Sequence, residues 1–241
     1  ASRVHFADYH QEKIARNNEP TDYKQDVDVR IPTLTRYSRY GLLAVINDGY
    51  GSGFGICEIC GWADVVDPKK KLFLSGKKSG HNNPITNDSC NGTINKYHLG
   101  HLFMTDVLEI RISGFSPLLA KPPAMMSLMY ALLDGSSNEL GIRRNDIDGT
   151  LYFRRYGEPP SIILYDNVPG GAGHVERVKN KLRACLENAF DKVNSCQCGE
   201  PKKNTSCYNC LRNYSNQFFH DELQRGYAIQ LLSLMLGSEA V

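Results

Sequence analysis

No run of apolar residues in this 241-residue chain approaches the roughly 18–20 that a membrane span needs, so no membrane partner is expected. No positively charged segment followed by an apolar core opens it, so it does not read as secreted. An excess of one charge is also lacking. The 28 Lys and Arg against 26 Asp and Glu leave +2, which excludes a uniformly basic nucleic-acid binder and confines any such contact to local patches. A nucleotide-hydrolysis motif is missing too. Gly76-Lys77-Lys78-Ser79 resembles the end of a phosphate loop, but the position five residues before Gly76 is Lys71, so the chain is not expected to hydrolyse ATP. With 41% hydrophobic and 22% charged residues, collagen-like, coiled-coil and disordered classes are excluded as well. The chain opens Ala1-Ser2 rather than on methionine, as a piece of a longer protein or a chain with a tag scar would.

Cysteine, by contrast, is plentiful: eight residues, six of them in close-spaced pairs. Four disulfides in a secreted protein are one reading. The length and the spacing favour metal in a reducing, cytoplasmic setting instead. Cys196-Gln-Cys198 and Cys207-x2-Cys210 put four thiolates within 15 residues, a donor set suited to closed, structural zinc. Cys57-x2-Cys60 and Cys90 supply three more thiolates and require a fourth ligand. His81 lies inside the loop closed by Cys60 and Cys90 and is the favoured candidate on loop-closure grounds, with His98 next. Cys185, alone in a helical stretch, reads as a small buried apolar residue. The cofactor expected is therefore Zn²⁺ at two sites.

Residues 1–39 read as a linker or the end of a preceding domain, and 40–241 as one domain. A buried strand is expected over Tyr40–Asn47, an irregular lysine-rich loop over 66–96, and a strand in the second half of 97–112. Pro122-Pro123 opens a helix whose Met125, Leu128, Met129, Leu132 and Leu133 recur at helical spacing. Further strands are expected over 149–156 and 161–166. One long helix should carry Val175, Val178, Leu182, Leu186, Ala189 and Val193 on one face, and a last helix should occupy 217–236. The fold class is α/β or α+β: a mixed sheet flanked by helices, with two zinc knuckles.

Asp166 runs straight into Asn167-Val-Pro-Gly-Gly-Ala-Gly173 and a helix. Such a turn can cradle phosphate on free N–H groups, or it can simply let helix and sheet pack closely. Gly170 and Gly171 are accordingly candidate nucleic-acid contacts. Lys77 and Lys78 are candidates as phosphate-binding cations, and Arg212, Tyr214 and Arg225 as the cationic and aromatic groups after the second knuckle. Asp166 and His174 offer a possible catalytic pair for a metal-dependent nuclease or hydrolase, though nothing completes a catalytic set around them.

The order CxxCG, LGHLFMTDVLEI, ILYDNVPGGAGH, then CxC and CYNCLRNYSNQFFHDEL resembles the MrfA-type zinc-binding (MZB) domain over about residues 40–236. In pattern it is most similar to the DrmB component of the DISARM anti-phage system. The resemblance implies that Cys196, Cys198, Cys207 and Cys210 bind zinc. It also implies an accessory domain of a DNA helicase, with DNA and a helicase motor subunit or domain as partners, in phage defence or DNA repair. No motor motif occurs in the chain, so no chemistry of its own is expected. A pure protein-interaction scaffold is the remaining alternative.

Overall fold

The computed structural model describes residues 2–9, 23–26, 28–49, 51–66, 80–155 and 158–237. They form two compact units: Ala1–His5 with Ala44–Leu102, and Phe6–Leu43 with Phe103–Val241. The boundary expected at residue 40 falls within the strand Thr33–Asn47. The described residues before position 40 take part in strands, Ser2–Tyr9, Lys24–Gln25 and the start of Thr33–Asn47. Phe6, Tyr9 and Val29 are buried, and Thr33, Thr35, Arg36 and Ser38 are buried polar positions that an apolar-run criterion passes over.

The larger unit is built on a six-stranded sheet. Its strands are β1 (Ser2–Tyr9), β2 (Lys24–Gln25), β3 (Thr33–Asn47), β9 (Leu99–Ile112), β10 (Ile147–Tyr152) and β11 (Ser161–Asp166), in the order β1-β3-β9-β11-β10 with β2 beside β3. β11 lies antiparallel between β9 and β10, and all six of its residues are buried, as its nearly continuous apolar sequence predicts. Strand alternation sends Leu108, Ile110 and Ile112 of β9 into the helix-side core. Glu109 lies between them in sequence and pairs with Ile163, so it stands on the other face.

Among the described residues, four helices cover the core face. In α1 (Pro122–Leu140), Pro122 and Pro123 occupy the first turn, where no N–H partner is needed, and Gly141 closes the helix in the left-handed region at φ 63°. α1 meets α3 (Leu182–Ser195) so closely that a Cβ on Gly135 would lie 2.4 Å from the carbonyl oxygen of Cys185. The single helix expected from 174 onward is two. α2 (His174–Asn180) ends where Lys181 leaves helical torsions at φ −126°, ψ 28°. No glycine or proline announces that break. The last helix, α4 (Arg225–Leu236), starts later than expected, because 217–219 forms only a 3-10 turn. Leu128, Leu132, Leu186, Ile229 and Leu232 are among the residues buried between these elements, each contributing about 1.5–3 kcal/mol.

The smaller unit holds β4 (Phe54–Cys57), β5 (Ala63–Val65) and β8 (Ile94–Tyr97) as an antiparallel sheet in the order β5-β4-β8. A hairpin pairs β6 (His81–Asn82) with β7 (Ser89–Cys90). Within 66–96, expected as irregular loop, the described residues from 80 onward thus contain β6, β7 and most of β8.

Candidate metal centres and the glycine turn

β4 ends on Cys57, and the chain turns back at once, with Gly61 N–H donating to the Cys57 carbonyl. That turn carries Cys60. On the hairpin, His81 and Cys90 are directly opposed cross-strand partners, so one register delivers two ligands to one point. His81 Nε2 lies 3.1 Å from Cys60 Sγ, and Cys57 Sγ lies 3.9 Å from Cys90 Sγ. His98 is not part of this group. The Trp62 ring packs against His81 with centroids 5.3 Å apart. The Ile59 and Gly92 N–H groups point at the sulfurs of Cys57 and Cys90, both at 3.4 Å. A Cβ on Gly92 would sit 2.5 Å from Cys57 Sγ, so only glycine lets the chain pass the sulfurs here. Backbone N–H donation, from Cys60 above all, holds the Cys57 thiol down to about 6, whereas burial pushes Cys60 up.

The second group joins Cys196, at the end of α3, and Cys198 to the turn Cys207–Cys210. Sulfur–sulfur distances are 3.5 Å for Cys196–Cys207, 3.6 Å for Cys198–Cys210 and 3.8 Å for Cys207–Cys210. Burial pushes Cys210 up to about 11, and raises Cys198 as well. All eight cysteines are free thiols, and Cys185 is fully buried, apart from both groups.

These spacings test the metal directly. Tetrahedral zinc with Zn–S bonds of about 2.3 Å separates its sulfurs by about 3.8 Å, close to the 3.5–3.9 Å found. In each group the four ligand atoms lie within 4.8 Å of one another. The donors, three thiolates with an imidazole and four thiolates, suit zinc and complete its coordination without a water. The cofactor is zinc, at two Cys/His tetrads.

Arg225, expected to meet nucleic acid, does not reach the surface. It is 0% exposed and serves the second tetrad instead. Its guanidinium donates to the carbonyls of Cys198 (3.1 Å) and Val193 (3.2 Å) and to Glu200 Oε1 (2.5 Å), while its own N–H donates to Thr205 O (2.8 Å). A side chain this fully buried, with each of its three nitrogens already bonded inside the protein, does not face a phosphate at the surface. Arg212 is also committed inward, to Ser206 Oγ (3.0 Å) and the His220 carbonyl (3.1 Å). Tyr214 is 82% exposed. Lys77 and Lys78 lie outside the described residues.

The glycine turn is occupied from within. Asp166 takes the N–H groups of Ala172 (2.6 Å), His174 (3.0 Å) and Val175 (2.9 Å) on its carboxylate, and Asp106 takes that of Gly173 (2.9 Å). Gly170 and Gly171 donate to the carbonyls of Met104 and Val168. Two buried carboxylates thus stand beside Gly170 and Gly171, expected as phosphate contacts, and would repel a phosphate there. The same bonds dispose of Asp166 as a catalytic base paired with His174, since it is 0% exposed and spent on the backbone. Sequence reasoning missed Asp106, which lies on β9, far from the turn in sequence.

No helix among the described residues is long and apolar enough to cross a membrane. The chain is 29% identical over 216 residues to the Druantia protein DruE of Escherichia coli (strain UMEA 4076-1), covering 79% of this chain but only 11% of that protein. Its fold resembles the crystal structure of the DUF1998 helicase MrfA bound to DNA, with a TM-score of 0.50 at 15% identity, over 97% of this chain and 24% of that one. Residues 128–211, from within α1 through the last cysteine of the second tetrad, match the family model of the MrfA Zn-binding domain (MZB).

Proposed function

We propose that this chain is the zinc-stabilised accessory domain of a DNA helicase or translocase system, working in phage defence or DNA repair. It contacts DNA, the motor, or both, contributes no catalysis of its own, and acts in the cytoplasm. The observation that carries this reading is the span of the MZB match, which contains all four cysteines of the second tetrad and α3, the helix that leads into it. The MrfA likeness supports the fold, and that protein is a helicase bound to DNA. The curated relative is a Druantia protein, whereas the sequence pattern pointed to DISARM, so the reading rests on the zinc domain and not on one system. Each tetrad holds one zinc through the residues named above. With both sites closed, zinc here stabilises the fold, because ordering four scattered ligands around one ion is itself folding free energy.

The test is binding of duplex and single-stranded DNA at two salt concentrations, together with co-purification with the motor encoded on the same or a neighbouring polypeptide. Binding to neither, even at low salt, would sink the proposal. Motor binding with no DNA affinity would favour the scaffold reading. Cleavage of DNA by the purified chain with a divalent metal would favour the nuclease reading, which no feature of Asp166 or His174 now supports.

A further inference from the structure

The face of the six-stranded sheet turned away from the helices carries a cluster that neither zinc tetrad nor the glycine turn uses. Glu109, 0% exposed, stands at its centre. Its Oε2 accepts the hydroxyls of Tyr9 (2.7 Å) and Tyr23 (2.6 Å). Its Oε1 accepts no hydrogen bond and is faced by two guanidiniums, Arg154 Nε at 3.3 Å and Arg111 Nη2 at 3.6 Å. Both separations exceed the roughly 2.7–2.9 Å of a charge-assisted hydrogen bond. Arg154 Nη2 also donates to the Tyr23 hydroxyl at 2.6 Å. The Tyr23 ring lies beside both cations, 4.3 Å from the Arg111 guanidinium carbon and 5.5 Å from that of Arg154. A third guanidinium, of Arg36, covers the Tyr9 ring at 3.7 Å.

One carboxylate cannot neutralise this group. Among the described residues, two arginines share a single oxygen of Glu109, which leaves a surplus positive charge even before Arg36 is counted. Partly buried like charges are costly unless an anion joins them. The side chains of Arg111 and Arg154 are each 33% exposed, while Nε and Nη2 of Arg111 are buried without a hydrogen-bond partner. A phosphodiester carries one charge and several oxygens, so it can accept from two guanidiniums at once. Arginine presents the planar fork of donors that such a group suits.

We propose that Arg111 and Arg154 form a phosphate-binding site, and that the phosphate they take belongs to the backbone of a nucleic-acid strand. The choice of strand rests on the DNA reading above; the existence of the site does not. It places DNA contact at Arg111 and Arg154, on the side of the sheet turned away from the helices, not on the glycine turn or Arg225. Tyr9 and Tyr23 occupy Oε2 of Glu109, so the two arginines have only its Oε1 to share.

The test compares the whole chain with its R111Q/R154Q and R111K/R154K variants. Zinc content and circular dichroism serve as folding controls. Oligonucleotide affinity is read against salt, and stabilisation by inorganic phosphate is read as a thermal shift. The Gln pair should lose at least about tenfold in DNA affinity and flatten the salt slope by about 0.9 for each phosphate released. The Lys pair should keep the slope. Unchanged affinity and slope in the Gln pair would overturn the site while leaving DNA binding in place. If the wild-type chain binds no DNA but gains stability from phosphate that the Gln pair does not, the site stands and the strand is wrong. If it responds to neither, both fail. Should the Gln pair not fold, the single R154Q variant is measured in the same way.

Discussion

Arg225 Nε donates to the carbonyl oxygen of Cys198 at 3.1 Å, from a side chain with no exposure to solvent. The same guanidinium reaches the end of α3 at Val193 and the loop carboxylate of Glu200, so one residue at the start of α4 ties down the Cys196–Cys198 half of the second tetrad. Replacing it with glutamine would leave buried carbonyls unpaired and remove a positive charge from beside four thiolates. R225Q should destabilise the chain by about 3 kcal/mol in chemical denaturation. It should also weaken zinc at this tetrad by about 10–100-fold in chelator competition. DNA affinity, measured on the fraction that remains folded, should not change, and a specific loss of it would show that Arg225 reaches the strand after all.

The glycine turn yields a contrast within two adjacent residues. Gly170 and Gly171 both have positive φ, 88° and 79°. A Cβ on Gly170 would enter open space, whereas one on Gly171 would lie 2.3–2.6 Å from the Asp106 carboxylate. Alanine at 170 should therefore cost only backbone strain, about 1 kcal/mol. Alanine at 171 should cost that plus displacement of Asp106 from the Gly173 N–H, about 3 kcal/mol in all. Denaturation midpoints of the two variants decide it, and equal costs would refute the close approach.

Much of the fold could be read from spacing because the signals are local. The apolar run of β11, the Met/Leu periodicity of α1 and the close cysteine pairs need no knowledge of distant chain. What escaped was long-range or unmarked. Asp106 fills the glycine turn from another strand, so the turn alone looked like an open anion site. Arg225 sits in a polar, aromatic stretch that resembles a nucleic-acid contact, and only packing shows that it points inward. β3 begins at Thr33 rather than Tyr40 because buried Thr33, Thr35, Arg36 and Ser38 do not look like strand core. The break at Lys181 carries no glycine or proline. The choice of His81 over His98 rested on loop closure alone, and the structure supplies the register that brings His81 opposite Cys90.

That register gives a direct count. H81A should leave one zinc per chain by elemental analysis, and H98A should leave two, since His98 lies outside the tetrad. H81C offers a fourth thiolate at the same cross-strand position and should restore the second ion. Two ions in H81A would remove His81 from the ligand set.

The two tetrads should also differ in the protons that zinc displaces. Thiols must lose their protons to bind the ion, so a thiol with a raised pKa makes affinity fall more steeply as pH falls. In the second tetrad burial pushes Cys210 up to about 11 and raises Cys198, so without metal both are protonated near neutrality. In the first, the Cys57 thiol is held down to about 6 and is already largely thiolate there, although Cys60 is raised by burial. Zinc should therefore release more protons from the second tetrad than from the first, and affinity at the second should weaken more steeply between about pH 8 and 7. A C57S/C60S variant isolates the second site and a C207S/C210S variant the first. Calorimetric titrations in buffers of different ionisation enthalpy then count the protons, and equal release from the two would show that burial does not set these thiols apart.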